Sequence, residues 1–166
     1  MIKDQLQADL KAAMKSGDAQ RKMTVSMALS VVKNRELEKR TALSKSIADT
    51  ATLEAQSQLT DEEVIQALGS EIKKRREAIT TYEQASRQEL ADKERAEIDV
   101  LAQYLPEQMS SAALKQVVEE IIKTLQPRGL KDMGRVISAV MAKVKGRADG
   151  QAVNSLVKEH LATIGS

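Results

Sequence analysis

Near the C-terminal end of the chain, Val136, Ile137, Val140, Met141 and Val144 recur at spacings of three and four residues. That period places them on one stripe of an α-helix and rejects a strand, whose side chains alternate with a period of two. Gly146 follows as the expected stop, because glycine takes the left-handed conformation of a C-terminal cap. Asp149 is the expected N-cap of a second helix, with Val153, Leu156, Val157 and Leu161 as its stripe. Lys131, Arg135 and Lys143 fall at multiples of four on the other side of the first helix, and Lys145 and Arg147 carry the line into the loop. The stretch reads as an apolar helical hairpin with a cationic rim.

Composition extends the helical reading to the whole chain. Hydrophobic residues make up 42% of the 166, but aromatic ones only 1%: Tyr82 and Tyr104, with no Phe or Trp. The core must therefore be built from Leu, Ile, Val, Ala and Met. Sheet proteins lean on aromatic and β-branched residues in alternation, whereas Ala, Leu, Glu, Lys and Gln favour helix. Two prolines leave long segments uninterrupted. The fold class is all-α and multihelical, with room for one domain or two small ones.

Taken in order, Ile2, Leu6, Leu10, Ala13 and Met14 form the apolar face of a first helix, closed by Ser16 and Gly17. Asp18 can cap a second helix, with Met23, Met27 and Val31 on one face, and the two form a hairpin. Residues 41–58 are polar and lack a sustained stripe, so a flexible insertion with room for some helix is expected there. Thr60 and Glu63 make a capping box, followed by Ile65, Leu68, Ile72, Ile79 and Tyr82. Arg75 falls on that apolar seam. It could contact phosphate, or lie along the core and pair with a carboxylate of another helix, the usual outcome for such a charge run. Ser86 and Glu89 form a second expected capping box, and Ile98, Leu101 and Leu105 line the helix after it. Pro106 ends that helix. Ser110 or Ser111 then caps a helix bearing Leu114, Val117, Val118, Ile121, Ile122 and Leu125. The expected domains are 1–106, a helical-hairpin subdomain, and 107–166, a three-helix subdomain.

No catalytic site is legible. His160 is the only histidine, there is no cysteine, and the carboxylates sit in caps and on charged faces. No metal ligand set, no cofactor motif and no apolar run of the ~20 residues a membrane span needs is present. The N-terminus has the pattern of an amphipathic helix, so a cytoplasmic protein that needs no membrane is expected. The formal net charge is +2. Residues 128–161 hold seven cations against three anions, a net of +4 that leaves −2 for the rest. Any affinity for nucleic acid must come from that placement.

Several blocks resemble those of the GatB/YqeY family: Tyr104-Leu-Pro-Glu-Gln108, Lys131-Asp-Met-Gly-Arg-Val136, Val144-Lys-Gly-Arg-Ala-Asp-Gly150, and Val153-Asn154. The likeness continues upstream through Leu59–Val64, Lys73–Glu77 and Ala96–Leu101, and so covers nearly the whole of a free-standing YqeY-like chain. Only 41–58 departs from it, being longer than the family pattern. The resemblance implies a two-subdomain helical fold whose C-terminal part is similar to the tail of the B subunit of the aspartyl/glutamyl-tRNA amidotransferase. In that enzyme the tail grips tRNA, and the chemistry resides in other domains. The implied role is a non-catalytic tRNA-binding accessory module, working with aminoacyl-tRNA or amidotransferase machinery. Its implied contacts are Lys131, Gly134, Arg135, Lys143, Lys145, Gly146 and Arg147, with Asp149 and Asn154 fixing the loop. Against this, the two glycines can serve only tight helix packing and a cap, a reading that suits Gly146 at least as well, with Asp149 as a plain N-cap. The rivals are a helical protein–protein adaptor and, by family label only, a carbon–nitrogen ligase with glutamine as amido-N-donor. Fold likeness alone does not carry that activity.

Overall fold

The structure, a computed structural model, describes residues 1–164. Among the described residues there are eight α-helices, one short 3-10 turn and no strand. The chain divides into two compact units between Leu105 and Pro106.

Unit 1 contains α1 (Ile2–Ser16), α2 (Ala19–Leu43), α3 (Thr50–Ser57), α4 (Asp61–Gln84) and α5 (Gln88–Ala102). Gly17, at φ 75°, closes α1. Asp18 accepts from the Arg21 N–H and starts α2. The short link makes the two helices an antiparallel hairpin. Thr60 and Glu63 form both halves of a capping box at the start of α4, and Lys39 reaches the Glu63 carboxylate at 2.8 Å. The Lys39 contact and the Thr60 N–H together hold the Glu63 pKa below the ordinary carboxylate range. The core gathers Leu6, Val25, Val32, Val64, Leu68, Ile72, Leu101 and Tyr104.

Two readings of unit 1 change. The buried face of α2 is Val25, Ala28 and Val32, while Met23 and Met27 are 42% and 46% exposed. Both faces carry apolar residues at helical spacing, and the β-branched one packs inward. Ser86 does not cap α5: it lies at φ 56°, with its N–H on the Glu83 carbonyl, and ends α4. α5 begins after Arg87 with no side-chain cap. Within the stretch expected to be an insertion, residues 41–43 complete α2 and residues 50–57 form α3. Asp49 caps α3, and Ser57 is buried.

Unit 2 contains α6 (Ser111–Leu125), a 3-10 turn (Leu130–Asp132), α7 (Met133–Val144) and α8 (Gly150–Ile164). Ser110 caps α6 through the Ala113 N–H at 3.2 Å. Each helix buries one stripe against the other two. Leu114 and Val118 meet Val136, Val140, Val144, Val153, Val157 and Leu161 in a single aliphatic core. None of these eight is more than 4% exposed.

Candidate nucleic-acid interface

The α7–α8 connection is five residues long and its geometry is closely specified. α7 ends with Lys145 in the left-handed region at φ 47°, and Gly146 follows at φ 78°. The left-handed cap itself therefore falls on Lys145, and Gly146 permits the second positive-φ residue that a side chain would resist. The Lys145 N–H returns to the Met141 carbonyl and the Arg147 N–H to that of Val144. Asp149 caps α8 as expected, its carboxylate accepting from the Gln151 N–H at 2.7 Å.

A second segment locks this loop in place. The Met109 N–H donates to the Arg147 carbonyl at 2.7 Å. The Gln108 side-chain amide donates to the Gly146 carbonyl at 3.1 Å, and Arg147 Nε donates to the Glu107 carbonyl at 3.3 Å. Two blocks forty residues apart in sequence, 106–109 and 146–147, thus meet inside unit 2. Glu107 and Gln108 were absent from the expected site; only their place in the Tyr104–Gln108 block pointed to them.

The rim cations are exposed but partly engaged. Arg135 Nη2 donates to the Leu125 carbonyl at 3.1 Å, satisfying a carbonyl at the end of α6 that has no helical partner, and lies 3.8 Å from Asp132. Lys143 pairs with Glu120 of α6 at 2.6 Å. Lys131 is exposed in the 3-10 turn, and Asn154 is exposed in the second turn of α8. Exposed ion pairs contribute at most about 1 kcal/mol and exchange readily for another anion. The Glu120 partner had no signal in helix periodicity, since it approaches from α6, whereas Asp132 stands three residues before Arg135 at ordinary helical spacing.

Gly134 occupies the exposed first turn of α7, between Lys131 and Arg135 in the cationic line. A Cβ built there meets nothing within 4 Å. The packing of unit 2 therefore gives no reason for a glycine at this position. His160 sits at the edge of α8, its Nδ1 2.9 Å from the Leu156 carbonyl and its Nε2 3.6 Å from Glu119. Among the described residues, no group of three His, Cys, Asp or Glu side chains could hold a metal ion, and no helix is long and apolar enough to cross a membrane.

Comparison with known proteins decides the family. The chain matches the Yqey-like protein family over residues 3–161. It belongs to that family. It is 26% identical over 162 residues to a Pyrenophora tritici-repentis protein called altered inheritance of mitochondria protein 41, mitochondrial, covering 96% of this chain and 80% of that one. A Candida glabrata protein of the same name is 32% identical over 123 residues, 73% of this chain and 60% of that one. A shorter likeness joins this Yqey-like chain to a component of the glutamyl-tRNA(Gln) amidotransferase of Thermococcus gammatolerans, 33% identical over 57 residues. That stretch is 34% of this chain and only 9% of the archaeal protein.

Proposed function

We propose that the chain is a non-catalytic tRNA-binding accessory module, serving tRNA-dependent amidation or aminoacylation through the α7–α8 hairpin of unit 2. The observation that carries this reading is Gly134. An exposed helical glycine costs stability relative to alanine, and nothing inside unit 2 uses its missing side chain. Its value then lies outside, in letting a ribose or phosphate approach the backbone between Lys131 and Arg135. Lys143, Lys145 and Arg147 extend the positive line past the cap, with Gly146, Asp149 and Asn154 shaping and flanking the loop. The likeness to an archaeal protein whose name includes a tRNA supports the choice of ligand. With only two tyrosines in the sequence, base stacking has few platforms, so the hairpin reads shape and backbone.

The test is tRNA binding by the whole chain as a function of salt. Each phosphate contact contributes a slope of roughly 0.7 to 0.9 log units per decade. Replacing Arg135, Lys143, Lys145 and Arg147 with alanine flattens that slope and weakens binding alike across tRNA species. Gly134→Ala separates function from folding: it raises helix stability by roughly 0.5 kcal/mol while weakening tRNA binding. Unchanged binding in both variants at matched salt sinks the proposal. The adaptor reading then moves ahead; the ion pairs that already hold Arg135 and Lys143 favour it.

A further inference from the structure

α2 has two faces with different grammars. Val25, Ala28, Val32 and Glu36 point into unit 1. On the opposite side, Gln20, Met23, Met27, Ser30, Asn34, Leu37 and Thr41 are all exposed. Their spacing runs three, four, three, four, three, four, the heptad period of a helix that faces another helix. None of the seven is charged, although α2 carries eight charged residues. Met23, Met27 and Leu37 are 42%, 46% and 47% exposed, so the apolar members of the seam are uncovered.

We propose that this seam is a self-association surface, on which α2 of a second copy of this chain lies parallel to α2 of the first. Charge complementarity selects that occupant and that direction. In a parallel pair, the residue just before one seam position faces the residue five further on in the other helix. Lys33 of each copy then faces Glu38 of the other, giving two symmetric attractive pairs; both residues are exposed. Ser26 faces Val31 under the same rule. An antiparallel pair instead sets the flank carrying Ser26, Lys33 and Arg40 against itself, bringing like charges together. Asn34 occupies a first seam position, where a buried asparagine pairs with its own copy, sets register and favours two strands at some loss of stability. The contact is small: from Met23 to Thr41 it follows about 27 Å of helix. Thr24, on one flank, is already buried, so the contact is strongest from Met27 onward. Such an interface lies below the roughly 1,200 Å² of stable complexes, and the dimer dissociates on dilution.

Sedimentation of the full chain over a concentration series is the test. The expected result is a reversible monomer–dimer equilibrium, lost in Leu37→Glu. Lys33→Glu and Glu38→Lys each weaken it roughly tenfold, and a one-to-one mixture of these two variants restores it as a mixed dimer. Because the chain has no cysteine, Met27→Cys and Thr41→Cys report direction. Both link to themselves on oxidation in a parallel pair, where the facing Cα atoms fall within the ~4.4 to 6.8 Å a disulfide spans. An antiparallel pair can bring only one of the two positions together. Helical circular dichroism of every variant shows that the fold persists, since all these positions are exposed. A monomer at every concentration, a dimer indifferent to Leu37→Glu, a mixture that stays monomeric, or self-linkage at only one cysteine position overturns the proposal.

Discussion

Unit 2 and unit 1 are both helical, but they hold themselves together differently. Unit 2 closes on eight aliphatic residues from three helices, and its charged residues stay on the surface. Unit 1 has a comparable aliphatic core and also brings charges inside it. Arg75 is only 9% exposed and Glu97 only 5%. Arg75 Nη2 meets Glu97 at 2.8 Å, with Glu94 and Glu71 at 3.8 and 3.9 Å. Tyr104 is buried two residues past the end of α5, with its hydroxyl turned to Asp9 of α1. An apolar core is set by how well shapes fill space. A core with ion pairs also depends on each charge keeping its partner, because a buried charge left alone is far costlier than a missing contact.

The largest expected effect follows from that difference. Arg75→Met removes the cation that faces Glu97 and strands a buried carboxylate, at a cost of about 3 to 5 kcal/mol by chemical denaturation. Replacing both partners, Arg75→Met with Glu97→Leu, recovers most of the loss, since the desolvation of both charges goes with them. If the single and the double variants are equally unstable, the charges matter to unit 1 only through packing, and the contrast between the two units disappears.

A middle-sized effect tests unit 2. Val157→Ala removes two methyl groups from its fully buried core and costs about 2 kcal/mol. The aliphatic core is self-contained, so a fragment beginning at Pro106 is expected to fold alone. The cost of Val157→Ala should then be the same in the fragment and in the full chain. A fragment without amide dispersion in its NMR spectrum breaks the claim of two independent cores.

The same contrast explains what the sequence made legible. In unit 2 each helix buries one stripe, so periodicity named Val136, Val140, Val144, Val153, Val157 and Leu161 without ambiguity. α2 carries apolar residues on both sides, and periodicity alone chose the methionine side over Val25, Ala28 and Val32. Ser86 showed why a capping-box pattern is insufficient: the same residue ends the preceding helix when its φ turns positive. Arg75 was legible as a seam position and as a probe for a carboxylate on another helix, and Glu97 supplies it. In the candidate interface the cations were legible. Glu120 and the Leu125 carbonyl were not, because those contacts depend on how α6 and α7 cross, whereas Asp132, three residues before Arg135, lay at a spacing the sequence does show.

The smallest effect is a matter of pH. Tyr104 donates its hydroxyl proton to Asp9, which also accepts from Arg21 at 3.1 Å. That tyrosine contact, and then Arg21, hold the Asp9 pKa below the ordinary aspartate value. Burial first, and then the Asp9 hydrogen bond, push the phenol from 10.0 up to about 12. The signs are opposite at the two ends of the scale. A depressed carboxylate stabilises the fold above its unfolded pKa, near pH 4, and loses that contribution as pH falls. A raised phenol stabilises it below pH 10 and loses that contribution between about 10 and 12. Tyr104→Phe keeps the ring in the core and deletes the hydrogen bond, costing about 1 kcal/mol at neutral pH. It should also shrink the acid loss, because Asp9 relaxes toward its ordinary value, and abolish this group's alkaline loss altogether. Thermal melting of the parent and the variant from pH 3 to the alkaline limit reads both ends at once. Parallel curves across the whole range would mean that Tyr104 serves unit 1 by its ring alone. The junction between α5 and α1 would then be an ordinary apolar contact, no different in kind from those of unit 2.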